Sequence, residues 1–199
     1  MIKRLFDIIM ALVGIVFLLP FFICLSAWIL IEDGWPILFF QKRVGKNGNL
    51  FHLYKFRTMR NNSEKSGQLT IGDRDPRVTN SGYYLRKYKL DELPQLFNVL
   101  FGKMSLVGPR PEVERYIKHY TSEQKQVLTV KPGITDLASL RYFKESELLA
   151  QSNDPETTYI EEIMPEKLKL NLHYIERASF WMDVKIILQT IQRIVTPSK

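Results

Sequence analysis

Residues 8–31 read IIMALVGIVFLLPFFICLSAWILI, an uncharged run with a single proline, Pro20, near its middle. A straight helix of this length would extend about 36 Å, which is enough to cross a hydrocarbon core of about 30 Å. Pro20 lacks a backbone N–H, and its ring clashes with the preceding turn, so the sequence predicts a bend there. Each half of the run would then be at most about 18 Å long, which is too short to span the core.

The charges on either side of this run bear on its topology. Lys3 and Arg4 precede it, and a cluster of basic residues follows it between Lys42 and Arg60. Because Lys and Arg tend to stay on the cytoplasmic side, a spanning helix would place one of the two basic flanks on the wrong side. A re-entrant helix that dips into the membrane and returns keeps both flanks together. Transmembrane helices also tolerate proline, so these residues alone leave a single-pass anchor open.

The composition suggests a division into two parts. The chain has 199 residues and a formal net charge of +7. Length favours a membrane helix over residues 1–35 and one compact domain over residues 36–199. A positive charge of this size suits an anionic membrane surface, a phosphorylated ligand or nucleic acid. One cysteine and three scattered histidines exclude a disulfide framework and offer no zinc-binding spacing.

Local patterns predict an α+β fold that is mainly α. Two apolar and aromatic runs at residues 37–41 and 51–59 flank VGKNGN at 44–49, which predicts a small β-hairpin. Helical patterns occur at four places, residues 94–100, 112–127, 166–175 and 180–195, and the last of these is amphipathic. Residues 61–80 are polar and contain glycine and proline, so they predict a long loop of the kind that is often functional.

Asp91 and Glu92 are the first candidates for chemistry. They stand just before Pro94, and proline is favoured in the first turn of a helix. A helix N-terminus stabilises an ionised carboxylate and also binds phosphate. An ionised Asp can attack phosphorus, while a neighbouring carboxylate can bind a metal ion or move a proton. Acidic helix caps are common, however, so the pair alone leaves catalysis and capping open.

Basic residues accompany the acidic pair and predict an anionic substrate. Arg110 lies between Pro109 and Pro111, which restrict its backbone and reduce the entropy lost when the guanidinium grips an anion. Lys55 and Arg57 are two positions apart on a predicted strand and should share a face. The candidate cations are Lys55, Arg57, Arg77, Arg86 and Arg110. Several cations with few carboxylates suit a substrate with two phosphates, although a structural salt bridge is an alternative for each cation.

Six segments, in order along the chain, carry a recognisable pattern. They are QKRVG at 41–45, KFRTM at 55–59, DPRVT at 75–79, LRKYKLDELPQLFNVL at 85–100, GKMSLVGPRP at 102–111 and KPGIT at 131–135. With these segments the chain resembles the monotopic phosphoglycosyl transferases, the bacterial sugar transferase family. It is similar to the minimal form of that family, which lacks additional transmembrane helices. The resemblance covers nearly the whole chain, including the apolar N-terminal run.

The resemblance implies a specific activity. Such enzymes transfer a sugar 1-phosphate from a UDP-sugar to polyprenyl phosphate, usually undecaprenyl phosphate, and release UMP in the first membrane step of glycan assembly. They use Mg²⁺. Asp91 matches the nucleophile that forms a covalent phosphosugar intermediate, and Glu92 matches the second acidic residue, which handles metal or protons. We therefore expect Asp91 and Glu92 as catalytic and metal-binding residues. The expected substrate-binding residues are Lys55, Arg57, Arg77, Arg86, Pro109, Arg110 and Pro111.

The resemblance also implies a location. The N-terminal helix of the family breaks at a proline, here Pro20, and re-enters on the cytoplasmic side of the bacterial inner membrane. The expected partners are a UDP-sugar, polyprenyl phosphate and membrane lipids. No recognised nucleic-acid-binding motif is present, so nucleic acid is not expected as a partner. The oligomeric state is open, with a homodimer as one option.

Two departures from the family pattern limit what carries over. Leu19 stands where the family often has serine before the proline, and residues 136–142 read DLASLRY where many relatives have a glycine followed by a glutamine and an Asn-Gly-Arg element. The sugar therefore cannot be named from the sequence. Two other classes of function remain as alternatives: a non-catalytic scaffold on the membrane surface, and a basic domain that binds anions or nucleic acid.

Overall fold

The computed structural model describes residues 2–61, 63 and 75–196 of the chain. Helices predominate, and the sheets are small, in agreement with the predicted α+β class. The elements follow in the order α1 (Ile2–Asp33), β1 (Leu38–Val44), β2 (Leu50–Phe56), α2 (Asn80–Lys87), α3 (Gln95–Leu100), β3 (Ser105–Val107), α4 (Glu114–Ile117), β4 (Gly133–Thr135), α5 (Leu137–Arg141), α6 (Glu145–Ala150), α7 (Pro155–Thr158), α8 (Met164–Arg177) and α9 (Phe180–Val195).

Helix α1 contains the whole apolar run and is helical through Pro20. In the described part of the chain, it is the helix with the length and apolar character needed to cross a membrane, with a mean hydropathy of 3.0 over its best 18 residues. Core helices of soluble proteins and signal sequences can meet the same criteria. Only 11% of that window is buried, however, whereas a core helix would be mostly buried. The predicted re-entrant bend at Pro20 stays a prediction.

Both ends of α1 are attached to the rest of the protein. Near the N-terminus, the Arg4 guanidinium donates to the last two carbonyls of α3 at 2.7 and 3.1 Å. One turn later, the buried Asp7 carboxylate accepts from the Ser105 hydroxyl at 2.8 Å. At the other end, the Glu32 carboxylate accepts from the first two backbone N–H groups of α2 at 2.7 and 2.8 Å. The two ends of the apolar helix are therefore fixed to one body.

The predicted hairpin is confirmed. Strands β1 and β2 pair antiparallel, with Leu38 opposite Phe56 and Val44 opposite Leu50. Asn47 and Gly48 have positive φ angles of 57° and 77° in the connecting turn, a conformation that asparagine and glycine adopt at low cost.

Helix α3 is fixed against this hairpin by one side chain. The Asn98 amide accepts from the backbone N–H of Tyr54 at 2.9 Å and donates to the carbonyl of His52 at 2.8 Å. Asn98 is buried, so it replaces the water that the edge of β2 would otherwise bind. Because Asp91 and Glu92 directly precede α3, this contact also sets their position relative to β2.

A second pairing joins two of the sequence motifs. Strands β3 and β4 are parallel, with Ser105 opposite Gly133 and Val107 opposite Thr135. After β3, the chain passes so close to β4 that a Cβ atom at Gly133 would lie 2.1 Å from the backbone nitrogen of Gly108. Pro132 and Gly133 are residue types typical of turns, and nothing in the sequence pattern indicated this pairing. The segment that carries Arg110 is thus held backbone to backbone against β4.

In the C-terminal half of the chain, the structure confirms the sequence predictions for the two long helices only. The helices predicted at residues 166–175 and 180–195 correspond to α8 and α9. The helix predicted over 112–127 is wrong, because the chain forms only the single turn α4 and a 3₁₀ turn at Gln124–Thr129. Tyr116, Tyr120 and Val127 instead enter a core with residues of α6 and α8. Most of the predicted loop at 61–80 lies outside the described residues.

Candidate active site

Asp91 and Glu92 lie in a 3₁₀ turn, Leu90–Glu92, between α2 and α3. Pro94 occupies the position just before α3, close to the first-turn position that the sequence predicted. Helix α3 has only six residues, so its dipole contributes less to this site than a long helix would. The charges of neighbouring side chains therefore dominate the electrostatics of the pair.

The acidic pair faces a cavity of about 910 Å³. Most of the predicted site residues line this cavity, namely Lys55, Arg86, Asp91, Glu92, Pro109, Arg110 and Pro111. Residues of α1, α5, α6, α8 and α9 also contribute to the wall. A volume of this size is within the range of small-molecule and cofactor sites.

Glu92 is held by two cations. The Arg110 guanidinium donates through one nitrogen to Oε2 at 3.0 Å and through the other to Oε1, and the Lys55 ammonium lies 3.4 Å from Oε1. Burial alone would raise the pKa of Glu92, but the charges of Arg110 and Lys55 hold it well below its usual range. The charge of Glu92 in turn raises the pKa of Arg110. Glu92 is therefore an ionised anchor that orients both cations.

Asp91 differs from its neighbour. It is 6% exposed, yet within the described residues its carboxylate takes part in no hydrogen bond or ion pair. Burial raises the pKa of Asp91, and the positive charge of Lys55 opposes that rise. Adjacent carboxyl groups whose pKa values are pushed apart often have separate roles. The arrangement leaves Asp91 free for a substrate while Glu92 is occupied by protein cations.

The backbone around Arg110 is positioned by residues that sequence reasoning did not assign to the site. The backbone N–H of Arg110 donates to the Asp136 carboxylate at 2.7 Å, and this fully buried carboxylate also caps α5. On the other side, the Arg43 guanidinium donates to the carbonyl of Pro111 at 3.0 Å. An Asp before a helical run is a recognisable cap signal. Nothing in the sequence, however, indicated that Asp136 would contact Arg110, which is 26 positions away.

Two of the predicted substrate-binding residues lie away from the cavity lining. Arg57 is buried, and its guanidinium donates to the carbonyls of Asp33 and Gly34, each at 2.8 Å. The guanidinium of Arg77 binds Asp75 at 2.6 and 2.9 Å. Lys55 instead contacts Glu92, whereas Arg57 contacts the end of α1, so the two side chains do not meet in one site. Substrate binding by Arg57 and Arg77 stays a prediction, and their contacts match the salt-bridge alternative.

The donor set around Asp91 can be compared with the needs of Mg²⁺. In residues 2–61, 63 and 75–196, no group of three or more His, Cys, Asp or Glu side chains could hold a metal ion without help. Mg²⁺ is often bound by only one or two carboxylates together with substrate phosphates and water. Asp91, whose carboxylate oxygens accept no hydrogen bond from the residues that the structure describes, fits that pattern, and Glu92 would have to give up contact with Lys55 or Arg110 to join it.

Comparison with known proteins identifies the family. The sequence model described as bacterial sugar transferase matches residues 1–197. The chain belongs to the bacterial sugar transferase family. The match covers both α1 and the residues of the cavity, so the family assignment made from the six sequence segments is confirmed.

Several members of this family are similar over nearly all of the chain. A UDP-N-acetylgalactosamine-undecaprenyl-phosphate N-acetylgalactosaminephosphotransferase of Aeromonas hydrophila is 37% identical over 98% of this chain and 44% of its own length. A UDP-glucose:undecaprenyl-phosphate glucose-1-phosphate transferase of Xanthomonas campestris is 34% identical over 97% of this chain and 38% of its own length. The exopolysaccharide production protein ExoY of Sinorhizobium fredii is 32% identical over 96% of this chain and 84% of its own length. The chain thus spans less than half the length of the first two relatives.

Proposed function

We propose that this bacterial sugar transferase moves a sugar 1-phosphate from a UDP-sugar to polyprenyl phosphate, namely undecaprenyl phosphate. The products are UMP and a polyprenyl-diphosphate-linked sugar. The observation that carries the proposal is the contrast within the acidic pair: Asp91 faces a cation-lined cavity and its carboxylate has no hydrogen-bond or ion-pair partner among the described residues, while Glu92 holds Arg110 and Lys55 in place. The names of the two transferase relatives support the same reaction class.

The reaction proceeds in two displacements at one phosphorus atom. A carboxylate oxygen of Asp91 attacks the β-phosphorus of the UDP-sugar, and the bond from that phosphorus to the bridging oxygen breaks, so UMP leaves with the electron pair. The sugar phosphate is then esterified to Asp91. An oxygen of polyprenyl phosphate attacks the same phosphorus, the bond to Asp91 breaks, and the carboxylate is restored.

The protein contributes mainly position and charge to these steps, as is usual for phosphoryl transfer. Lys55, Arg86, Lys89 and Arg110 line the cavity beside Asp91 and would offset the negative charge of both substrates. Without such neutralisation, two unit charges about 4 Å apart repel by about 4 kcal/mol at an effective dielectric constant near 20. Mg²⁺, held by Asp91 with Glu92 and the substrate phosphates, would add further charge neutralisation.

The second part of the proposal concerns the membrane. We infer that the protein is monotopic, with α1 re-entering the bacterial inner membrane at the Pro20 bend and residues 36–199 on its cytoplasmic face. The attachment of both helix ends to one body, through Arg4 and Glu32, supports this topology, because a spanning helix would place its ends on opposite sides. Exposed apolar side chains on α1 and α9, such as Phe17 at 80% and Trp181 at 77%, supply surface for lipid contact.

Loading without an acceptor tests the reaction. Protein held in nanodiscs is incubated with Mg²⁺ and a panel of UDP-sugars, and UMP release and intact mass are measured. We expect one donor to give UMP and a mass gain equal to one sugar phosphate, and Asp91→Asn to give neither. Asp154→Asn, which changes an exposed cap of α7, is the control and should load normally. Loading of Asp91→Asn at the wild-type rate, or no adduct with any donor in folded protein, would refute covalent catalysis.

Cysteine labelling in intact cells tests the topology. The native Cys24 is first replaced by serine, and single cysteines are then introduced beside Arg4 and beside Lys42. A membrane-impermeant reagent added outside should leave both sites unlabelled until the membrane is opened. Labelling of the two sites from opposite sides would show that α1 spans the membrane.

A further inference from the structure

One polar side chain in the cavity wall has no role in the arrangement described so far. Asn171 lies on α8, lines the cavity and is 4% exposed. Its Oδ1 atom is buried and has no hydrogen-bond partner among the residues that the structure describes. Buried side-chain amides are almost always hydrogen-bonded, because an unpaired one has lost its water without compensation. An unpaired amide at a cavity wall is therefore a candidate for ligand contact.

The surroundings of Asn171 connect it to the reacting end of the cavity. One turn earlier on α8, the Lys167 ammonium binds the Glu145 carboxylate of α6 at 2.6 Å, and both residues also line the cavity. Helix α8 packs against α5, whose cap residue Asp136 holds the backbone of Arg110. Asn171 is therefore on a helix that packs against α5, and the cap residue of α5 also positions Arg110 beside Asp91 and Glu92.

A neutral amide is expected to bind a different part of the substrate from the cations, which bind the phosphates. Lys and Arg side chains near Asp91 suit the charged diphosphate, whereas a neutral amide suits a neutral group that donates a hydrogen bond. Hydroxyl and acetamido groups of a sugar, and the N–H of a nucleobase, have this character. Asn171 lies on α8, which packs against α5, and α5 begins at the cap residue that holds the backbone of Arg110, so its wall is on the side of the phosphate that would bear the sugar. This placement favours the sugar over the nucleotide.

We propose that Asn171 is a specificity-determining residue whose Oδ1 accepts a hydrogen bond from a hydroxyl or acetamido N–H of the donor sugar. This assignment rests on the proposed function, because it takes the UDP-sugar as the occupant of the cavity. It predicts that Asn171 contributes to the choice among donors while Asp91 and the surrounding cations treat all UDP-sugars alike.

The test uses Asn171→Leu, which keeps a similar volume and removes hydrogen bonding. We expect kcat/KM for the preferred UDP-sugar to fall at least about tenfold, with the Tm of the ligand-free protein equal to or above that of wild type. Asn171→Asp retains the acceptor oxygens and should recover part of the activity. Ile175→Val, one turn further along α8 and outside the cavity lining, is the control and should lower Tm without changing kcat/KM.

A donor panel then identifies the contacted group. For a UDP-sugar that lacks this group, wild type and Asn171→Leu should have equal kcat/KM. Equal values for every donor in the panel would overturn the proposal, because they would make Asn171 a structural residue.

Ligand-induced shifts in Tm separate the sugar from the nucleotide and from the reaction itself. UDP alone should raise the Tm of wild type and Asn171→Leu equally, and the additional rise given by the UDP-sugar should be lost in the variant. Loss of the UDP effect itself would assign Asn171 to the nucleotide and refute the sugar contact. If no donor is turned over by wild type and the UDP-sugar shift still depends on Asn171, the proposed reaction fails while the contact stands.

Discussion

Replacing Glu92 by glutamine removes one negative charge from between Arg110 and Lys55. The glutamine has nearly the same shape, so the perturbation is electrostatic. Both cations would remain in the cavity wall without the carboxylate that now binds them at 3.0 and 3.4 Å. The variant therefore asks whether Glu92 serves to hold these cations or takes part directly in the chemistry.

The expected loss of stability follows from burial. The Glu92 side chain is 12% exposed, and removal of one partner from a buried ion pair costs about 3–5 kcal/mol. The lower end applies, because the Arg110 side chain is 33% exposed and water can partly replace its partner. A loss of about 3 kcal/mol would lower the Tm of a chain of this length by about 6–12 °C.

The pH dependence has a defined sign. The folded-state pKa of Glu92 is held below its usual range, while the unfolded value is about 4.3. Ionised Glu92 therefore stabilises the fold fully above the unfolded pKa, and this stabilisation is lost as the pH falls through the lower folded pKa. The difference in Tm between wild type and Glu92→Gln should be constant from pH 7 to about 5 and should shrink as the solution is acidified further.

Thermal unfolding in one detergent across this pH range, combined with UMP release at pH 7, provides the assay. Glu156→Gln is the matched control, since it breaks the exposed pair with Arg115 and should cost less than about 1 kcal/mol. We expect Glu92→Gln to lose both stability and donor loading. An unchanged Tm at pH 7 with loading abolished would refute the anchoring role and assign Glu92 a direct part in the chemistry.

Three further substitutions, the first with a matched control, test the supports of the site by thermal unfolding. Gly133→Ala should lower the Tm by several degrees, because its Cβ would lie 2.1 Å from the backbone of Gly108, whereas Gly14→Ala meets only the end of a leucine side chain at 3.3 Å and should be nearly neutral. Arg57→Lys should lower the Tm and leave the donor KM unchanged, and a raised KM would instead support phosphate binding. Asp7→Ala should cost about 1–3 kcal/mol, because it leaves the Ser105 hydroxyl and the backbone N–H of Leu106 without their acceptor, and a wild-type Tm would contradict the anchoring of α1.

The sequence predicted the parts of the fold that depend on local pattern. The Asn47–Gly48 dipeptide predicts the hairpin because both residues accept the positive φ angles that the turn requires. Helix α9 has apolar residues at steps of three and four, and it was predicted with its correct limits. Strands β3 and β4 have three residues each and are 26 positions apart at the closest, so their pairing had no local signal. In 112–127, tertiary packing of Tyr116 and Tyr120 overrides the helical pattern.

In the candidate site too, local features were predictable from the sequence and contacts between distant residues were not. The sequence singles out Asp91 and Glu92 as a pair because they are adjacent and precede a helix. It does not reveal which carboxylate is occupied, because that depends on Arg110, which is 18 residues away and follows a strand, β3, that pairs with the distant β4. Asn171 was not singled out, since its significance comes from a cavity that residues distant in sequence enclose.

The charge balance of the cavity bears on the order of the proposed steps. Among the described residues that line it, eight Lys and Arg side chains face five carboxylates, which leaves a surplus of three positive charges. A sugar diphosphate carries about two negative charges and a phosphate monoester about 1.5–2, so the surplus can offset one substrate but not both together. Departure of UMP removes negative charge before the lipid phosphate enters. A covalent intermediate on Asp91 therefore lets one positive site serve two anionic substrates in turn, which a direct transfer between them would not allow.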